Sequence, residues 1–162
     1  MRSEPDSGVD EDRRWMQRCI DLARTAAECG EVPVGAVVVL DGEAIGAAHN
    51  RCEELADPTA HAEMLALRAA CQRVGAGRLP GAVLYCTLEP CFMCAGAALH
   101  ARVGRIVFGA GDPKFGACGS LALLPADPRL NHRCPVEGGL LADEVAALMR
   151  GFFRRLRSGG PD

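Results

Sequence analysis

Aromatic side chains are scarce in this 162-residue chain: one tryptophan, one tyrosine and five phenylalanines, 4% in all. With 49% hydrophobic residues an ordinary core is still within reach. That core must be built mostly of alanine, valine and leucine. Lysine is nearly missing, since Lys114 is the one lysine among 18 basic residues. Arginine suits bidentate phosphate contacts, but an alanine- and glycine-rich chain makes overall composition the simpler cause. A net charge of −3 and a pI of about 5.8 argue against a protein that coats nucleic acid, while leaving room for a local basic patch. No stretch approaches the roughly 20 apolar residues of a membrane span. No basic start is followed by an apolar run, so no secretory signal is expected and the cytoplasm is the expected compartment. Nine cysteines are an odd number without the spacing of a disulfide framework. In a reducing cytosol most are expected as thiols.

Two of those cysteines stand apart. Pro90-Cys91-Phe92-Met93-Cys94 places two thiols three positions apart, on one face of a helix. Two sulfurs bound to one tetrahedral zinc ion lie roughly 3.8 Å apart, a gap that such side chains can close. Pro90 suits the start of that helix, where a missing N–H costs nothing. Asp57-Pro58-Thr59 leads in the same way into a second helix from His61. His61, Cys91 and Cys94 make three ligands and leave a fourth corner for water, whereas structural zinc sites close all four. Glu63, two residues beyond His61, is the candidate general acid/base. It cannot also be the fourth ligand without displacing the water. His49, His100 and His132 rank below His61, because no glutamate follows two residues on. A redox pair or a structural zinc site is the bland alternative for Cys-x-x-Cys. Cys19, Cys29, Cys52, Cys71, Cys86, Cys118 and Cys134 read as small core or surface residues. Zn²⁺, two thiolates and a hydroxide sum to −1, and a buried net charge needs compensation. Helix N-termini carry partial positive charge. Cys91, Cys94 and His61 are therefore expected in the first turns of their helices.

Along the chain, residues 1–9 read as a disordered tail and Asp10 to Glu28 as a helix burying Trp15, Cys19, Leu22, Ala23 and Ala26. Val34 to Leu40 and Glu43 to His49 read as a hairpin turned at Asp41-Gly42. Asn50 follows at the strand end. His61 to Val74 is a helix stopped by Gly75. Ala82 to Thr87 and Arg105 to Phe108 are strands on either side of a helix from Cys91 to Ala101. Gly109 to Gly119 is a long glycine-rich loop, a length that points to function. Leu121 to Pro135 is irregular and Val136 starts a short strand. Leu140 to Leu156 is a last helix with Leu141, Val145, Leu148, Met149, Phe152 and Leu156 inside. Residues 158–162 read as a mobile tail, leaving one domain over 10–157. Alternating helices and strands imply an α/β fold, a sheet covered on both faces.

His-x-Glu followed by Pro-Cys-x-x-Cys is the signature of the zinc nucleobase deaminases. Beyond it, Glu31 to Val37, His49-Asn50-Arg51, Asp57 to Glu63, Tyr85 to His100, Val107 to Ala110, Asn131-His132-Arg133 and Phe152-Phe153-Arg154 resemble blocks of the bacterial tRNA adenosine deaminases, in family order and across residues 13 to 157. The resemblance implies a three-layer α/β/α sandwich around a mixed five-stranded sheet, cytidine-deaminase-like, in a homodimer with one Zn²⁺ per subunit. It implies conversion of adenosine to inosine at the wobble position of a tRNA anticodon stem-loop, with arginine tRNA as the expected substrate. Glu63 would move the protons. Asn50 would bind the base through an amide that offers donor and acceptor, Pro33 and Val34 would wall the pocket, and Ala62 would offer its N–H. Asp112, Lys114, Phe153 and Arg154 would touch the anticodon loop. Arg150, Arg154 and Arg157 also suit a helix C-terminus without any ligand. Gly111, Phe115 and Cys118 depart from the family's usual Arg, Thr and Ala. The alternatives are a deaminase of free guanine or cytosine and an inactive zinc-stabilised RNA-binding module.

Overall fold

The computed structural model describes residues 7–159. Helix α1 (Ser7–Glu28) is followed by strands β1 (Gly35–Leu40) and β2 (Glu43–His49), a single-turn helix α2 (Cys52–Leu55) and helix α3 (Ala62–Val74). Strand β3 (Val83–Leu88), helix α4 (Phe92–His100), strand β4 (Arg105–Ala110), strand β5 (Val136–Glu137) and helix α5 (Ala142–Ser158) complete the order. Ser7 to Val9, expected in the N-terminal tail, are helical, and Ser158 closes α5. Gly159 caps α5, and residues 1–6 and 160–162 of the expected tails lie outside the described residues.

The five strands form one mixed sheet in the order β2-β1-β3-β4-β5. β1 runs antiparallel to both neighbours, while β3, β4 and β5 are parallel. Residue alternation divides the core into two layers. Ala36 and Val38 of β1, Leu84 and Cys86 of β3, and Ile106 and Phe108 of β4 pack with α3 and α4. Val37, Val39, Tyr85 and Val107 point the other way, onto Met16, Cys19 and Ile20 of α1 and Val145 of α5. The sheet is thus covered on both faces, as expected.

Local chemistry explains the joints. Asp41 and Gly42 both have positive φ, 51° and 77°, which suits a two-residue hairpin turn. A Cβ on Gly46 would stand 2.2 Å from the Ala66 carbonyl oxygen, so only glycine lets β2 approach α3 this closely. Gly75 ends α3 in the left-handed conformation at φ 79°. On α5 the expected inner stripe holds for Val145 and Phe152, but Leu156 is 61% exposed.

Candidate active site

His61 is the N-cap of α3 and Cys91 the N-cap of α4, with Cys94 in that helix's first turn. Their carbonyls accept the first helical bonds, from Leu65 N–H at 3.0 Å and Ala95 N–H at 2.9 Å. The side chains are therefore free to converge in front of the two positive helix ends. His61 Nδ1 lies 3.6 Å from Cys91 Sγ and 3.5 Å from Cys94 Sγ. In a tetrahedral zinc site, with bonds near 2.3 Å to sulfur and 2.05 Å to nitrogen, the nitrogen–sulfur separation is about 3.6 Å. The three atoms thus stand where one tetrahedral cation would hold them, and they form a group able to bind a metal ion.

The electrostatics fit the same reading. The hydrogen bond from the Cys94 thiol, together with His61, brings Cys91 down to about 4. The shared bond with Cys91, burial and nearby Glu63 push Cys94 far up. One negative charge is thus easy in this pair and a second is costly. A divalent cation is what allows both sulfurs to ionise. Glu63 is buried, 4% exposed. Burial raises its carboxyl above its ordinary value. Among the described residues, Glu63 Oε1 is the buried side-chain oxygen with no hydrogen-bond partner.

His61, Glu63 and Cys91 open onto a cleft of about 940 Å³, with Cys94 buried behind them. Val34, Asn50, His61, Glu63, Cys91, Asp112 and Phe153 line it. Asn50 is nearly buried, and its Oδ1 accepts the Ala62 N–H at 2.8 Å. Ala62 therefore spends its N–H on Asn50, and the Asn50 amide retains its NH₂ as the free donor. Pro33 does not wall the cleft as expected. Val34 N–H closes a tight turn on the Val32 carbonyl at 2.8 Å, which leaves Val32 and Val34 on the wall and Pro33 buried at the apex. Lys114 and Arg154 are exposed and do not line the cleft. Helical spacing puts Phe152, Phe153 and Leu156 on the lining side of α5 and Arg154 off it. Asp112 is occupied locally, its Oδ1 accepting the N–H groups of Lys114 and Phe115.

Two buried carboxylates escaped sequence reasoning. Glu31 accepts the Glu53 and Glu54 N–H groups, each at 2.9 Å, and so caps α2. Glu89 accepts the N–H groups of Asp112, Cys118 and Ser120, each at 3.0 Å, and the Ser120 hydroxyl. Burial alone would raise Glu89, but these bonds outweigh it and hold the carboxyl below its ordinary value. The one available signal was a pair of charged residues set inside apolar stretches. None of the other seven cysteines joins the metal-ligand group. Burial pushes the thiols of Cys19, Cys86 and Cys118 up, which makes them inert. His132 is tied to the Val103 carbonyl at 2.8 Å and His100 is exposed.

The family model for MafB19-like deaminases matches residues 10–157. The tRNA-specific adenosine deaminase of Bacillus subtilis is 48% identical over 91% of each chain. That of Aquifex aeolicus is 48% identical over 84% of this chain and 89% of its own. The chain belongs to the family of the tRNA-specific adenosine deaminases. A structure from a study of A-to-I editing by tRNA:A34 deaminases at the wobble position superposes with a TM-score of 0.80 at 47% identity, over 83% of this chain and 98% of that one. A guanine deaminase from Nitrosomonas europaea shares the fold more distantly, with a TM-score of 0.72 and 26% identity over 93% of both chains. Family membership and fold thus agree with the metal-ligand geometry, while the guanine deaminase shows that the same scaffold serves a free base elsewhere.

Proposed function

We propose that this protein is a hydrolytic deaminase that converts adenosine to inosine at the wobble position of a tRNA anticodon, holding one Zn²⁺ per subunit on His61, Cys91 and Cys94. The observation that carries this reading is the meeting of three ligand atoms at tetrahedral spacing with the unpartnered Oε1 of Glu63, on one cleft. The target base is read as flipped out of a single-stranded loop, since a base in a duplex is stacked and paired.

The roles follow from the surroundings. His61, Cys91 and Cys94 would hold the ion. Bound zinc supplies a water acidic enough to attack at neutral pH. Glu63, its carboxyl raised by burial, lines the same cleft and is placed as the general acid/base. It takes a proton from the attacking water and passes it to the ring nitrogen, then takes the remaining proton of the added hydroxyl and delivers it to the departing ammonia. Asn50 donates its amide N–H to the base, Val34 packs against it, and Ala62 holds Asn50 in place. Phe153 offers its exposed ring to an anticodon-loop base, and Asp112 lines the same cleft. Lys114 and Arg154, exposed near the cleft, suit loop phosphates.

The same reading makes residues 10–157 one deaminase domain in a cytoplasmic homodimer, with arginine tRNA as substrate. These finer points rest on the family. No helix among the described residues is long and apolar enough to cross a membrane. The test is to incubate the zinc-loaded protein with an anticodon stem-loop, sequence the RNA and look for A read as G. Adenine, guanine, cytosine and cytidine are the parallel substrates. Turnover of a free base with an untouched stem-loop would replace this reading with that of a free-base deaminase. Inactivity on every substrate would favour a binding module.

A further inference from the structure

Glu89 stands between the metal-ligand turn and the glycine-rich loop, and the mechanism above assigns it no part. We propose that Glu89 is a positioning residue whose buried carboxylate locks the 111–120 loop to the turn carrying Cys91, holding Phe115 at the cleft mouth as a stacking surface for a base next to the target. The last part rests on the RNA-deaminase reading.

The lock is built at both carboxylate oxygens. Oε1 takes the Asp112 N–H at 3.0 Å and the Ser120 hydroxyl, while Oε2 takes the N–H groups of Cys118 and Ser120 at 3.0 Å. The space is shaped for it: a Cβ on Gly116 would lie 2.3 Å from Oε2. Glu89 directly precedes Pro90, whose carbonyl accepts the Ala117 N–H at 2.9 Å, and Cys91 itself bridges to Gly116. Loop and ligand turn are thereby one body. Within it, Asp112 Oδ1 caps the N–H of Phe115 and sets where that ring emerges. Phe115 is 66% exposed and lines the cleft. Four of the five phenylalanines, Phe92, Phe115, Phe152 and Phe153, gather on this one cleft in a chain otherwise poor in aromatics. Unstacked RNA bases are held by such rings, which take any base on their π-face.

Glu89→Gln tests the lock, because a side-chain NH₂ of the same size cannot accept an N–H. Whichever way the amide turns, one set of loop donors meets a donor. Amide hydrogen exchange at Asp112, Cys118 and Ser120 is expected to speed up while zinc stays at one per subunit. On a stem-loop substrate, KM is expected to rise with kcat little changed. Phe115→Ala should raise KM about 5- to 150-fold, the worth of one base–aromatic stack. In the Glu89→Gln background the same Phe115 change should cost much less, since both act through one loop. Ser120→Ala, which removes a single donor, should shift exchange and KM in the same direction by less. Unchanged amide exchange, additive effects of the two substitutions, or zinc lost together with kcat would each overturn the proposal. A wild-type protein inactive on the stem-loop would strike the substrate reading and with it the role of Phe115. Exchange rates would still decide whether Glu89 holds the loop.

Discussion

Glu63→Gln should separate activity from stability. The substitution keeps the side-chain volume and changes one oxygen to an NH₂. Glu63 is 4% exposed, and its Oε1 has no hydrogen-bond partner to lose. An ordinary buried hydrogen bond is worth about 0.5–1.5 kcal/mol net, so the expected change in stability stays within about 1.5 kcal/mol. The chemistry loses far more. A positioned acid/base group contributes about 10²–10⁴ in rate. One carboxylate here serves several transfers, so kcat should fall by at least that factor, or about 2.7–5.5 kcal/mol of barrier. The assay is single-turnover conversion of an anticodon stem-loop, read as A to G, beside bound-zinc analysis and thermal melting of the same sample. Zinc lost along with activity would refute the reasoning, because Glu63 would then be holding the site together. Activity within tenfold of wild type would refute it as well.

Three further expectations follow from the geometry. Cys94→Ser should abolish zinc binding, and chelation of the wild-type protein should remove activity that added zinc restores; metal analysis and the stem-loop assay check both, and full activity in the metal-free protein would contradict the ligand assignment. Asn50→Ala should leave the buried Ala62 N–H without its acceptor, at a cost of about 1–3 kcal/mol in denaturant unfolding, together with a higher KM for the stem-loop. Asp12→Asn should cost about 1–3 kcal/mol, because Asp12 accepts charge-assisted bonds from Arg105 and a bond from the Tyr85 hydroxyl at side-chain exposures of 13% and 27% for the ion pair. Its pH dependence has a definite sign. Burial alone would raise the Asp12 carboxyl, but Arg105 and Tyr85 outweigh it and hold it below its ordinary value. The stability it contributes is therefore present above about pH 3.9 and lost as pH falls through the lower folded value. The Asn variant should lack this part of the acid limb in a pH series of melts, and an unchanged limb would count against the network.

Short-range patterns in the chain were enough for much of the architecture. A β-branched run with Asp41-Gly42 after it specified the β1–β2 hairpin, because a two-residue turn with positive φ sets the pairing of the strand ends beside it. Helical spacing with Gly75 as a stop specified α3. His61, Cys91 and Cys94 were visible because metal ligation needs particular atoms at particular spacings, Glu63 because it stands two residues from His61, and the ligands' places at helix starts followed from charge. What spacing could not supply were partners far apart in sequence. Glu89 meets its loop 23 to 31 positions on, and Glu31 reaches 22 positions to create α2 from a stretch too short to hold itself. The tight turn that takes Pro33 off the wall, the gathering of four phenylalanines on one cleft and the exposure of Leu156 beside that cleft were likewise decided only in three dimensions. The physical reason is one of range: turn geometry and amphipathic faces are set by neighbours within a few residues, whereas a buried carboxylate or an exposed ring gets its meaning from whatever the completed fold brings against it.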